Sequence, residues 1–320
     1  MVRPVSAVAL ALAALAALGS LAPGISEADE VRREKAVWVW EQDSLSLLQD
    51  RGAADEAIRF AKSQRITKVY LYADAFNGRN LLTEEPWRWH DLLRRLHREG
   101  LRAEALLGSA YLHTEHYVEP ERRDAALDMF RRIHRFNAAT DSAEERFDGI
   151  HYDIEPHLLP QWEDQRDLLL MGYLDLGRAI VDLRRDVGQD LPITPDIPFW
   201  LDTVVLEWEG ATRSVAEHVI RLFETVALMD YRNFARGSDG IIAHATLEMD
   251  IAARLGRRVV IGLEIAEGEP KKISFASLTP ADLARELAAT ESAFQDSSAF
   301  GGFAIHHFSA WKAWLERARQ

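Results

Sequence analysis

Short apolar runs along this chain take turns with longer stretches in which apolar residues recur every three or four positions. The short runs occupy 36–40, 68–72, 102–107, 149–154, 191–194, 225–229, 258–262 and 302–305. A short run of this kind predicts a strand, and a spacing of three to four predicts a helix with one buried stripe. Leu45 with Leu48, Ile58 with Ala61, and Leu92 and Leu93 with Leu96 have the helical spacing. So do Ala126, Met129, Phe130 and Ile133, and then Leu170, Leu174 and Ile180. Punctuation agrees with the pattern. Thr279-Pro280-Ala281-Asp282 reads as a helix start, with proline at the first helical position. Gly100 and Gly256 fall where helices should end.

Eight strands, each followed by a helical pattern, imply a parallel sheet. Eight such units over roughly 290 residues predict a single-domain (β/α)8 TIM barrel. No G-x-G-x-x-G follows the first strand, so an open dinucleotide-binding sheet lacks its usual signal.

The first 28 residues read differently. Arg3 precedes an almost pure Ala, Leu and Val run from Val5 to Leu18. Pro23 and Gly24 break that run, and Ser26-Glu27-Ala28 offers a small-residue cleavage site before Asp29. The expectation is a signal peptide over 1–28 and a catalytic barrel over 29–320, secreted or periplasmic. The apolar run is shorter than the ~20 residues of a spanning helix, so no stable membrane insertion is expected after cleavage.

The 48% hydrophobic content supports a sizeable core, and the net charge of −13 argues against nucleic acid as a partner. Cleavage removes Arg3 and Glu27, so −13 stands for the mature chain as well. With no cysteine there is no disulfide, thiolate metal site or cysteine nucleophile. Oligomeric state is not legible.

The segment Asp148-Gly149-Ile150-His151-Tyr152-Asp153-Ile154-Glu155 carries the chemistry. In a strand its polar residues face one way and Ile150, Tyr152 and Ile154 the other. An inward row of His151, Asp153 and Glu155 is costly unless paired or functional. Two neighbouring carboxylates cannot both ionise cheaply, so one pKa should rise, which suits a general acid. His151 is expected to hydrogen-bond Asp153.

Active sites of such barrels lie at the carboxyl ends of the strands. There the sequence places Trp40 and Glu41, Asp74, Asp196 and Trp200, Asp230 and Tyr231, Glu264, and His306 with His307. Of the two adjacent histidines, a strand should turn only one inward. Carboxylates framed by aromatics suit glycoside hydrolysis, because aromatic faces stack on sugar rings. Trp40, Glu41, Asp74, Asp196 and Trp200 are the expected carbohydrate contacts. No cofactor is expected.

The same segment resembles the strand-four signature D-x-x-D-x-D-x-E of glycoside hydrolase family 18, the chitinase-like barrels, at Asp148, Asp153 and Glu155. Met229-Asp230-Tyr231 is similar to that family's M-x-Y-D, and Gly301-Gly302 also matches its pattern. The resemblance implies hydrolysis of N-acetylhexosamine-containing glycans. Glu155 would be the general acid, Asp153 would orient the substrate's acetamido nucleophile, and Tyr231 would donate to it. Asp148, His151, Asp230, Glu264 and His306 would support them. His151, Arg232 and His306 depart from the family pattern.

Three alternatives stay open at this point. Ile154-Glu155-Pro156 resembles the N-E-P of retaining glycosidases, which would pair acid Glu155 with nucleophile Glu264. A metal-dependent hydrolase would draw ligands from His151, Asp153, Glu155, Glu264 and His306, yet no H-E-x-x-H or H-x-H spacing is present, so no metal is expected. A non-catalytic carbohydrate-binding barrel is the third, and binding alone does not require the acid.

Overall fold

The computed structural model describes residues 33–319, so the expected signal peptide lies outside the described residues. Ten strands follow in chain order: β1 (Glu34–Val39), β2 (Lys68–Tyr72), β3 (Arg102–Leu107), β4 (Gly149–Tyr152), β5 (Ile193–Pro198), β6 (Val205–Trp208), β7 (Ala211–Ser214), β8 (Thr225–Met229), β9 (Arg258–Glu264) and β10 (Phe300–His306). Eight of them close into a parallel barrel in the order β1-β10-β9-β8-β5-β4-β3-β2. Helices cover its outside, as the alternating pattern predicts.

Strand five extends further than its apolar run. The pattern stops at Thr194, but β5 continues through Pro195 and Asp196 to Pro198. Proline lacks an N–H and so reads as a breaker. The pairings of Tyr152 with Pro195 and of Pro198 with Met229 carry the strand past both prolines. After β5 comes the antiparallel hairpin β6–β7, which the eight-fold repeat does not foretell. Its turn uses Glu209 (φ 49°) and Gly210 (φ 73°), the left-handed pair that tight hairpins require.

Alternation along the strands sorts the core into two layers. Val69, Leu71, Ile150, Tyr152 and Ile154 face outward into the large apolar layer beneath the helices. Trp38, Tyr70 and Tyr72 face inward among small residues such as Ala36, Ala227 and Ala304. Two glycines make this geometry possible where backbones nearly touch. A Cβ on Gly302 (φ 111°) would sit 2.1 Å from the Glu34 carbonyl, so β10 approaches β1 only because the side chain is absent. Gly108 does the same beside the site described below.

Helix ends follow the sequence signals. Thr279 and Asp282 form a reciprocal capping box on the helix Pro280–Phe294. Gly256 closes the helix Ile241–Leu255 in the left-handed conformation. Among the described residues, no helix is long and apolar enough to cross a membrane.

Candidate active site

A cavity of about 470 Å³ opens at the carboxyl end of the barrel. Its walls are Trp40, Glu41, Ser109, Ala110, Tyr111, Asp153, Glu155, Met229, Tyr231, His306 and His307. Seven of these are residues the sequence placed at the carboxyl ends of the strands: Trp40, Glu41, Asp153, Glu155, Tyr231, His306 and His307.

β4 delivers the two central carboxyls. Asp153 follows the strand directly, and its backbone N–H donates to Leu107 O (2.8 Å). Gly108 (φ 87°) packs on that same peptide: a Cβ there would lie 2.2 Å from Asp153 O. Burial raises Asp153 well above the ordinary carboxylate range, and Glu155, Asp196 and Glu41 add to the rise. Burial and then Asp196 push Glu155 up to about 7, against the opposing pull of His306. The alternating row thus holds two carboxyls that resist ionisation. His157 stands 3.3 Å from Glu155, and burial pushes its imidazole down to about 4, so it is neutral there. Tyr231 is pushed well above a normal phenol, first by burial and then by Glu264 and Asp196. It therefore stays a neutral hydroxyl able to donate.

Beneath the cavity floor runs a column of buried charge. Lys68 bridges Glu34 (2.8 Å) and Glu104. His151 Nε2 lies 2.8 Å from Asp196 Oδ2, and its Nδ1 is 3.7 Å from Glu104. Burial alone would lower the His151 imidazole, but Asp196 and Glu104 outweigh it and raise it to about 9. His151 is thus an imidazolium, and Nε2–H donates to Asp196. The Trp38 indole N–H lies 3.2 Å from both partners, and only Asp196 can then accept it. Tyr70 stacks on the His151 ring at 3.8 Å. Burial would raise Glu104, yet Lys68 and His151 hold it at about 2.

The opposite wall is pinned by a second chain of bonds. Trp40 Nε1–H donates to His306 Nε2 (2.8 Å). An indole nitrogen only donates, so the His306 proton sits on Nδ1 and goes to Glu264 Oε2 (2.8 Å). Glu264 Oε1 accepts from the backbone of Ile265 (2.7 Å) and Ala266 (2.6 Å). Both oxygens of Glu264 are engaged, and it does not line the cavity.

Several expectations need correcting. His151 pairs with Asp196, not with Asp153, because the inward row of β4 meets that of β5. Asp196 is buried under the floor at 2% exposure and does not line the cavity. Asp74 is held by Arg132 (2.6 Å) and Asn80 (3.0 Å) outside the cavity lining. Trp200 is half-buried, packs edge-on against His157 and Trp162, and does not line the cavity. Asp148 precedes β4, at the far end of the barrel, and caps Ala103 N (2.7 Å) and His97 (3.0 Å). Asp230 turns outward to His244 (2.9 Å). Both His306 and His307 line the cavity, because His307 already belongs to the turn that starts the last helix. The ligand set weighed for a metal is split between separate bonds, and no group of three or more His, Asp or Glu among the described residues is arranged to hold an ion.

Ser109, Tyr111 and His157 were missed. Ser109 donates to the Glu41 carboxylate, and Tyr111 is 73% exposed at the rim. Both follow the end of β3, where the carboxyl-end rule applies as it does elsewhere; the apolar run gives no hint because their side chains carry no pattern.

No protein-family model matches this chain, and no curated protein matches it. Solved structures do. A glycoside hydrolase family 18 chitinase mutant from Cycas revoluta, in complex with (GlcNAc)4, aligns with a TM-score of 0.50 and 13% identity, over 89% of this chain and 98% of that one. Concanavalin B aligns with a TM-score of 0.50 and 15% identity, over 90% of this chain and 98% of its own. Likeness at these identities is likeness of fold: the chain is a divergent barrel built like those of the family 18 chitinases.

Proposed function

We propose that this protein is a secreted glycoside hydrolase acting on N-acetylhexosamine-containing glycans. The observation that carries the reading is Glu155, a carboxyl held near 7 on the wall of an aromatic-framed cavity, two residues from a second resistant carboxyl. Glu155 gives its proton to the glycosidic oxygen as the bond from the anomeric carbon breaks. The acetamido carbonyl oxygen of the substrate closes on that carbon from the other face. Asp153 accepts the acetamido N–H, and Tyr231 donates to the carbonyl oxygen. Water then opens the ring intermediate, and Glu155 takes its proton back.

The committed state of Glu264 supports this route over a protein nucleophile. Its oxygens already serve His306 and two backbone amides, which leaves no free carboxylate there. Export rests on the Arg3, apolar-run and Ala28 arrangement; N-terminal sequencing of protein from the native host should find Asp29 near the start.

The test is product analysis by mass spectrometry on N-acetylchito-oligosaccharides and a panel of other glycans. Hydrolysis that disappears in Glu155→Gln is the expected result. Tight binding without cleavage across the panel would leave a carbohydrate-binding barrel instead.

A further inference from the structure

Tyr231 stands on irregular backbone. β8 ends at Met229, and from Asp230 to Gly240 the chain forms neither helix nor strand. Asp230 N–H donates to Leu228 O (2.8 Å) and Gly262 O (3.1 Å), and Arg232 N–H donates to Asp230 O (2.8 Å), so Tyr231 is the middle of a three-residue turn. Side chains supply what the strand ladder does not. The Arg232 guanidinium donates back to Tyr231 O (2.8 Å) and twice to Asp239 Oδ1 (3.1 and 2.8 Å). His244 Nε2 lies 3.2 Å from the same Asp239 oxygen, and His244 Nδ1 lies 2.9 Å from Asp230 Oδ1. The two neighbours of Tyr231 are thereby joined through Asp239 and His244 into a closed ring. Two further segments fix that ring. Lys272, beyond β9, holds Asp239 Oδ2 (2.7 Å). Phe199, beyond β5, lies flat on the His244 imidazole (4.0 Å, 5°), and the Arg232 guanidinium is 5.1 Å from the same phenyl ring. Arg232 and then Lys272 hold the Asp239 carboxyl well below the usual carboxylate range, so the hub of the ring is an anion.

We propose that this ring aims Tyr231 into the cavity, with Arg232, Asp239 and His244 as positioning residues that act through the Tyr231 hydroxyl. None of the three lines the cavity, so their route to the reaction runs through Tyr231, which does. A planar guanidinium that grips a carboxylate and a carbonyl at once fixes the direction of the Tyr231 peptide as well as its place, which a point charge cannot do. Direction matters here, because a reacting group displaced by about 1 Å can lose on the order of 10²-fold in rate. Arg232 stands where the M-x-Y-D pattern has aspartate, so the ring belongs to this chain's own departure from that pattern. The effect on turnover rests on the glycosidase reading; the hold on Tyr231 does not.

Asp239→Asn tests it by removing the charge at the hub, at a side chain 42% exposed, where the change should not unfold the chain. NMR of the full chain carrying 13C at the tyrosine rings, with Tyr231 assigned by comparison with Tyr231→Phe, reads the hold directly. The Tyr231 ring is 6.0 Å from that of His306, so a change of aim moves its signal. In Asp239→Asn that signal should shift or split while the other tyrosine signals stay in place. Turnover gives a second reading. Asp239→Asn should lower kcat on the order of 10²-fold, and the same substitution should cost little in a Tyr231→Phe background, where no hydroxyl is left to aim. An unmoved Tyr231 signal in folded Asp239→Asn overturns the inference. An equal loss of kcat in both backgrounds overturns it as well, since a merely structural role would act alike in each. Arg232→Lys keeps the charge and loses the fork, so it should move the Tyr231 signal too; an unmoved signal there counts against the ring even where Asp239→Asn fails to fold. A wild type that cleaves no glycan sinks the glycosidase reading alone, and the tyrosine spectrum still decides whether the ring holds Tyr231.

Discussion

Glu155 sits where burial and the Asp196 charge keep a carboxyl protonated close to neutrality. Glu155→Gln keeps the shape and removes the proton, so turnover should fall by roughly 10²–10⁴-fold with folding unchanged, the usual share of general acid–base catalysis. Because the acid form is needed, kcat/KM should decline as pH rises through about 7; a profile flat across that range would remove Glu155 from the role. Glu264 and Asp153 separate the two glycosidase routes. Asp153→Asn should nearly abolish turnover. Glu264→Gln should leave substantial activity, since it disturbs only the bond that orients His306. A fluorosugar that labelled Glu264 would reverse this ranking. At this scale the place of Asp153, Glu155 and Tyr231 on the cavity wall could be read from type and position. The partner of His151 could not, since Asp196 is 45 positions away in the chain.

Elements explain why the carboxyls point where they do. β4 alternates because its outer face must join the apolar layer and its inner face must not. Its end is held against β3 by Gly108, whose missing Cβ makes room for the Asp153 carbonyl. Gly108→Ala adds a clash to a left-handed φ, so it should cost at least about 1–3 kcal/mol and move Asp153. Thermal unfolding and activity, measured together, check this; unchanged values for both would show that β3 and β4 can part cheaply. Strand five shows where local reading stops. Pro195 and Pro198 look like breakers, and only the pairing with β4 and β8 reveals a strand that carries Asp196 inward.

Across the whole molecule, the buried column from Glu34 to Asp196 couples stability to charge. Lys68 is 7% exposed between two carboxylates at 4%. Lys68→Met would leave both buried acids without their cation, a loss of about 3–5 kcal/mol, visible as a lowered denaturant midpoint. pH acts through the same interior. His151 is raised in the fold to about 9, so its contribution is complete below its ordinary value of 6.5 and is lost as pH climbs through 9. Glu155 and Glu248 are raised by burial to about 7 and about 8, so ionising them on the alkaline side also disfavours the fold. Glu104 works the other way: it is held at about 2, and its contribution is present above 4.5 and lost as pH falls toward 2. The melting temperature should therefore be higher at about pH 6 than at about pH 9. The reverse order would mean that the column is not charged as described.

The sequence by itself determined the barrel, because eight apolar runs with helical spacing between them admit few other ways to bury both faces of a parallel sheet. It also determined at which end the cavity opens and which strand carries the inward row of titratable side chains, because period-two alternation is a local property of the chain. Tertiary structure decided the partners. Glu264 became an anchor for His306, Asp196 a buried counter-ion, and Asp148 a cap at the far end. Those roles depend on which strand lies beside which and on the register between them, and residues tens of positions apart carry no mark of that in their own neighbourhoods.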